Sequence, residues 1–237
     1  MSVIQKVKDK PVSTVSGVLA PLFSVFKSSY FYIGLLAVIA GIELNFISQT
    51  YLQNQFVNAG RILPELSDMI LDKLPLYDVS LIYDLFSTIP VIILIVYIFQ
   101  KREFNRIPYF LLLMGILEII RGIFIVITPL GNPPMFTGSN TLFNGFSKYE
   151  LGVYPSGHVG SAFLLFLMVR DRTYKFMIFI CVVAVILSLF LAHAHYSIDI
   201  LSGIFFAYAL ESFGSKYLKM FELGESNGFS LPFRDRE

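Results

Sequence analysis

Six runs of largely apolar residues, separated by polar stretches, organise this chain. They cover about 31–49, 80–100, 108–129, 157–170, 174–193 and 196–215. A helix that crosses a bilayer needs ~20 mostly apolar residues. Five of the runs approach that length; the fourth is short and opens on Gly157 and His158. The second run is mixed in its first turns, where Tyr83 and Asp84 stand. The pattern predicts an all-α fold, a bundle of six transmembrane helices over residues 31–215. An N-terminal segment, 1–30, and a polar tail, 216–237, flank it. No internal repeat and no separate soluble domain is visible. Within the N-terminal segment, Val15, Val18, Leu19, Leu22 and Phe26 fall on one side of a helix. That is the pattern of an interfacial helix, although an unstructured leader fits the same stretch.

The polar connections alternate in charge. Lys6, Lys8, Lys10 and Lys27 precede the first run, and Lys101, Arg102 and Arg106 follow the second. Arg170, Arg172 and Lys175 follow the fourth; Lys216, Lys219, Arg234 and Arg236 follow the sixth. The intervening connections hold only Arg61 and Lys73, then Lys148, then none. Cytoplasmic loops collect Lys and Arg, so both termini are expected in the cytoplasm. The two long loops, about 51–79 and 130–156, then lie on the opposite face. The second of them is rich in turn formers, from Gly131, Asn132, Pro133 and Pro134 to Gly138, Ser139, Asn140, Asn144 and Gly145.

Composition agrees with a membrane location. The chain of 237 residues is 55% hydrophobic and 15% charged, with mean hydropathy +0.69. Soluble domains carry about 25% charged residues, and one this apolar would leave large sticky patches. A net charge of +1 gives no electrostatic case for nucleic acid. Cys181, the single cysteine, excludes an intrachain disulfide and argues against a thiolate metal site. Residues 1–29 lack the compact apolar run and small-residue cleavage site of a removable signal.

Ionisable groups inside apolar spans are costly and mark function by default. Here they are Glu43, Asp84, Glu118, Arg121, His158, His193, His195, Asp199 and Glu211. The charge-derived topology places His158, His193, His195 and Asp199 at one membrane face, and Arg121 in the same half of the bilayer. His195 and Asp199 are four apart, a spacing that puts two side chains on one helix face. A carboxylate accepting from one imidazole nitrogen fixes the tautomer and frees the other nitrogen for attack. His158 closes the stretch Pro155-Ser156-Gly157-His158. There the start of a helix offers backbone amides to an anion, and Ser156 adds a hydroxyl. Phosphoester chemistry needs a nucleophile, a proton source for the leaving oxygen, and positive charge at the phosphoryl oxygens. His195, His158 and Arg121 are the candidates, in that order. Each also has a plainer reading: a histidine as a hydrated interfacial anchor, Asp199 as a helix N-terminal charge, and Glu118 neutralising Arg121 three residues away. His193 and His195, two apart, face different ways on a helix, and too few further ligands stand near for a metal. The convergence at one face is what favours chemistry.

Pro-Ser-Gly-His followed by His-x-x-x-Asp resembles the type 2 phosphatidic acid phosphatase superfamily. The stretch Leu191-Ala192-His193-Ala194-His195-Tyr196-Ser197-Ile198-Asp199 is similar to the Leu-Ala-His-x-His-Tyr-Thr-x-Asp segment of its sphingomyelin synthase branch. Arg121-Gly122-Ile123 with Thr128 and Leu130, and Leu74-Pro75-Leu76-Tyr77-Asp78, resemble two further segments of that branch. The likeness covers about 74–215. It implies a six-helix membrane bundle with cytoplasmic termini and a site on the lumenal or outer face. It also implies His195 as nucleophile, Asp199 as its orienting acid, His158 as general acid, and a phosphohistidine intermediate without metal or cofactor. Arg121, Ser156, Gly157 and Tyr196 become the candidate phosphate or substrate contacts, with Glu118, His193 and Asp78 in support. The phosphatase pattern's Lys–Arg-Pro motif is absent, and Ser188 is followed by Leu189 where that pattern has Ser-Arg. The synthase pattern's Cys-Gly-Asp has no counterpart in 149–154. Transfer of a phospho head group between membrane lipids is therefore the leading expectation. Hydrolysis of lipid monophosphates or polyprenyl diphosphates is the alternative, and a non-catalytic lipid transporter or scaffold the second alternative.

Overall fold

The computed structural model describes residues 16–134 and 151–223, with side chains from residue 21 onward. Lys6, Lys8 and Lys10, the 135–150 part of the second long loop with Lys148, and the tail from 224 lie outside the described residues. Among the described residues seven α-helices follow one another: α1 (Ser16–Phe26), α2 (Ser29–Leu52), α3 (Ser80–Lys101), α4 (Ile107–Ile127), α5 (Gly157–Met168), α6 (Arg172–Leu191) and α7 (Ser197–Tyr217). No strand occurs among the described residues. Five helices among the described residues, α2, α3, α4, α6 and α7, are long and apolar enough to cross a membrane. The protein is thus an all-helical, multi-pass type of chain. The expected sixth span, α5, is only 12 residues long, or about 18 Å at 1.5 Å per residue.

Packing explains how so short a helix fits. α5 contacts α3, α4, α6 and α7, and Val159, Ala162, Leu164 and Leu165 on it are buried. A helix walled by other helices need not match the bilayer's thickness, because non-helical backbone at its ends is sheltered by protein. The long helices instead turn large apolar side chains outward. Leu36 on α2, Ile92 on α3, Phe176 on α6 and Phe205 on α7 are all exposed, as a lipid-facing surface requires.

Helix contacts depend on small residues, the usual means of close approach in membrane bundles. α2 lies along α4; a Cβ at Gly41 would stand 2.6 Å from Glu118 Cβ and 2.8 Å from the Gly115 carbonyl oxygen. α5 meets α7 in the same way: a Cβ at Gly203 would stand 2.8 Å from the Ser156 carbonyl oxygen and 3.1 Å from Gly160 N.

Each end of the bundle is tied by its own polar contacts. At one end, Tyr77 N donates to Leu191 O at 2.8 Å, Gly131 N to Pro64 O at 2.8 Å, and Ser156 N to Asp199 O at 3.1 Å. At the other, buried Arg106 donates through Nε to Glu222 Oε1 at 2.8 Å and through Nη2 to Met168 O at 2.9 Å. Arg170 Nη2 reaches the second Glu222 oxygen at 2.7 Å, and Leu223 N donates to Asn105 O at 2.9 Å. The chain after α7 is therefore packed against the bundle as far as residue 223. At this same end Asp171 caps α6 by accepting from Thr173 N and Tyr174 N, and it pairs with Lys101 at 2.6 Å.

Candidate active site

The site lies where the first turns of α5 and α7 meet, at the end of the bundle holding the two long loops. Backbone contact at Gly203 sets the separation of these helices, and it brings His158 beside the turn that precedes α7. The His158 and His195 ring centroids are 5.8 Å apart, at 68°. His195 and Asp199 are buried, and Nδ1 of His195 is 3.4 Å from Asp199 Oδ2.

The helix-face argument for His195 and Asp199 needs one correction. α7 begins at Ser197, so His195 stands outside the helix, and the pair does not share a helix face. Asp199 instead reaches back over the N-terminus of α7, where Oδ2 accepts from Tyr196 N at 2.9 Å. Its carboxylate satisfies a free amide of the first turn and meets the imidazole with the same oxygen. Asp199 Oδ1, also buried, has no hydrogen-bond partner among the described residues.

Arg121 reaches the start of α5 from α4. It donates through Nη1 to Asn45 Oδ1 at 2.8 Å, through Nε to Pro155 O at 3.3 Å, and through Nη2 to Gly152 O at 3.4 Å. An arginine has five N–H groups, so this cradle leaves some for an anion. Gly157 is the residue it crosses: a Cβ there would stand 2.9 Å from Arg121 Nε. Glu118 Oε2 is 3.9 Å from Arg121 Nη1. The closer link is Asn45, whose Nδ2 donates to the Glu118 carbonyl at 2.7 Å and to its carboxylate at 3.2 Å. Ser161 Oγ donates to the other Glu118 oxygen at 3.4 Å.

The remaining candidates are spread around this centre. Ser156 is buried, and its Oγ accepts from Val159 N at 3.5 Å as the N-cap of α5. Tyr196 is buried between loops; its hydroxyl accepts from Leu66 N at 3.1 Å and donates to Asn132 O at 3.2 Å. His193 has a left-handed backbone, φ +50°, which turns its ring to Leu74 O, 3.2 Å from Nε2. Asp78 accepts from Ser80 N and Ser80 Oγ ahead of α3. These contacts make Tyr196 and His193 fasteners of the loops around the site, while the contacts of Asp78 are local to the start of α3. Among the described residues no three His, Cys, Asp or Glu side chains gather as a metal-binding set.

Three residues enter the site that received no role from the sequence. Asn45 holds Arg121 and Glu118; its signal is an amide inside an apolar run. Asp84, buried on α3, has Oδ1 3.7 Å from His158 Nε2. Asp68, in the first long loop, accepts from Ser197 N and Ser197 Oγ, each at 2.6 Å. Burial works to raise the Asp68 carboxyl, but hydrogen bonds from Ser197, Ile70 and Leu71 together outweigh it and hold its pKa below the usual value. Nothing local in the sequence marks Asp68, since it acts on a residue more than a hundred positions away.

Compared with models of known protein families and with curated proteins, the chain matches none.

Proposed function

We propose that this chain is an integral membrane enzyme that moves a phosphate-bearing head group from one lipid to another through a phosphohistidine formed on His195. One observation carries the reading: His158, His195 and Asp199 meet at one end of the bundle, with Arg121 alongside. The motifs that resemble the sphingomyelin synthase branch of the type 2 phosphatidic acid phosphatases support it, as does the six-span count obtained when short, enclosed α5 is taken as a crossing. In this reading both termini are cytoplasmic and the site opens to the lumenal or extracytoplasmic face.

The chemistry runs in two displacements. Asp199 holds the proton of His195 on Nδ1, which leaves the Nε2 lone pair to attack phosphorus. As the N–P bond forms, the ester P–O bond breaks, and protonated His158 gives its proton to the departing lipid oxygen. A second lipid alcohol then gives its proton to His158 and attacks phosphorus, and the N–P bond breaks. Arg121 and the first amides of α5 meet the negative charge on the phosphoryl oxygens. Every group that this sequence of steps requires is a side chain or amide of the chain.

Transfer is tested with purified protein in liposomes holding head-group-labelled phosphatidylcholine, phosphatidylethanolamine or phosphatidic acid, with and without ceramide or diacylglycerol. Label should appear in the acceptor lipid and depend on its presence. Release of free head group or phosphate alone, whatever the acceptor, would establish hydrolysis and overturn transfer.

A further inference from the structure

We propose that Asp84 is a positioning residue for His158, so that the site holds two histidine–carboxylate pairs, one for each displaced group. This extends the proposed phosphoryl chemistry and rests on it. Asp84 lies on α3, far in sequence from His158, and its carboxylate is buried with Oδ1 3.7 Å from His158 Nε2. The turn that carries it is pinned: Ser87 Oγ and Thr88 Oγ1 both donate to the Asp84 carbonyl, at 2.9 and 2.8 Å. Its neighbour Tyr83 sets a ring edge against His158, with centroids 5.4 Å apart. The imidazole of His158 thus meets a ring and a carboxylate from α3 and the His195 ring from the turn before α7.

The charged and titratable groups around His158 are Asp84 from α3, His195 from the turn before α7, and Arg121 from α4. Asp84 is the carboxylate among them, and its buried oxygen is an acceptor set against an imidazole N–H. Because Nε2 faces Asp84, the proton kept for that contact is on Nε2, and Nδ1 is the nitrogen that passes a proton to the leaving oxygen. The arrangement repeats, with the opposite ring nitrogen, the pairing of His195 Nδ1 with Asp199.

The chain has three histidines, which makes the pairing readable by imidazole nitrogen NMR on full-length protein in micelles. Neutral His158 should show a protonated Nε2 and a bare Nδ1. Asp84→Asn, which offers donor and acceptor alike, should mix the two tautomers; Asp84→Glu should keep the first. The His193 signals report whether the fold is intact. Activity gives the second readout. With a phosphatidylcholine donor, whose leaving group is a poor one, Asp84→Asn should lower kcat roughly 10- to 100-fold, the scale of general acid catalysis. With 4-nitrophenyl phosphorylcholine, whose leaving group needs no proton, the same variant should lose little. Unchanged His158 signals in Asp84→Asn, or equal losses on both donors, would overturn the proposal. Failure of unmutated protein to cleave either ester would instead count against the proposed function, and the NMR would still decide the pairing.

Discussion

At Gly157 a methyl group would stand 2.9 Å from Arg121 Nε, closer than carbon and nitrogen pack without a shift. Gly157→Ala should therefore push the guanidinium off the start of α5 while leaving the cap and the helix in place. A misplacement of about 1 Å can cost 10²-fold in rate. Phosphoryl transfer should fall by roughly that order, with the unfolding midpoint nearly unchanged; a variant of full activity would separate Arg121 from the reaction. Asp68 acts by charge. Its carboxyl is held below its ordinary pKa by bonds that include two from Ser197. A depressed folded pKa stabilises above the unfolded value, and the gain is lost as pH falls through the folded one. Below about pH 4 the Ser197 amide should lose protection relative to its intrinsic exchange rate, and Asp68→Asn should remove that pH dependence of protection. The histidines, Asp199 and Arg121 stand out in the sequence as candidates because ionisable groups are rare in apolar runs. Asn45 and Asp68 do not: one is uncharged, the other sits in an ordinary polar loop, and both work through distant partners.

The five long helices could be read from length and apolarity alone, and their observed ends lie within a few residues of the expected ones. α5 was harder. Its run looked short because the helix is short, and hydropathy cannot tell a helix walled by neighbours from one bathed in lipid. The meeting of α5 and α7 follows from glycine, which a hydropathy pattern scores as nearly neutral. Gly203→Ala would place a methyl 2.8 Å from a backbone oxygen, which cannot rotate away. Overpacking of this kind costs about 1–3 kcal/mol. It should lower thermal stability and also separate His158 from His195, so activity should fall more than stability does. The His195–Asp199 pair teaches a related lesson. The spacing of four is consistent with contact, but the contact comes from a capping carboxylate and a histidine just outside the helix.

Across the molecule, the two ends of the bundle have different characters. One gathers the histidines and the loops that Tyr196, His193 and Asp68 fasten. The other is closed by Arg106, Glu222 and Arg170, with Arg106 and Glu222 both buried. Removing one partner of a buried pair leaves an uncompensated charge and costs about 3–5 kcal/mol. Glu222→Ala should therefore destabilise the whole bundle, read as a lower unfolding midpoint in detergent, while the distant site keeps its rate in the folded fraction. That stability contribution was invisible in the sequence, where Glu222 looks like the start of a polar tail. The central claim concerns the other end. In liposomes carrying labelled phosphatidylcholine, phosphatidylethanolamine or phosphatidic acid with a lipid alcohol acceptor, unmutated protein should form a phosphoester product. His195→Ala, inserted and folded to the same extent, should form none. Product formation by His195→Ala at the unmutated rate, or lipid transport by both proteins with no phosphoester cleaved by either, would contradict the account.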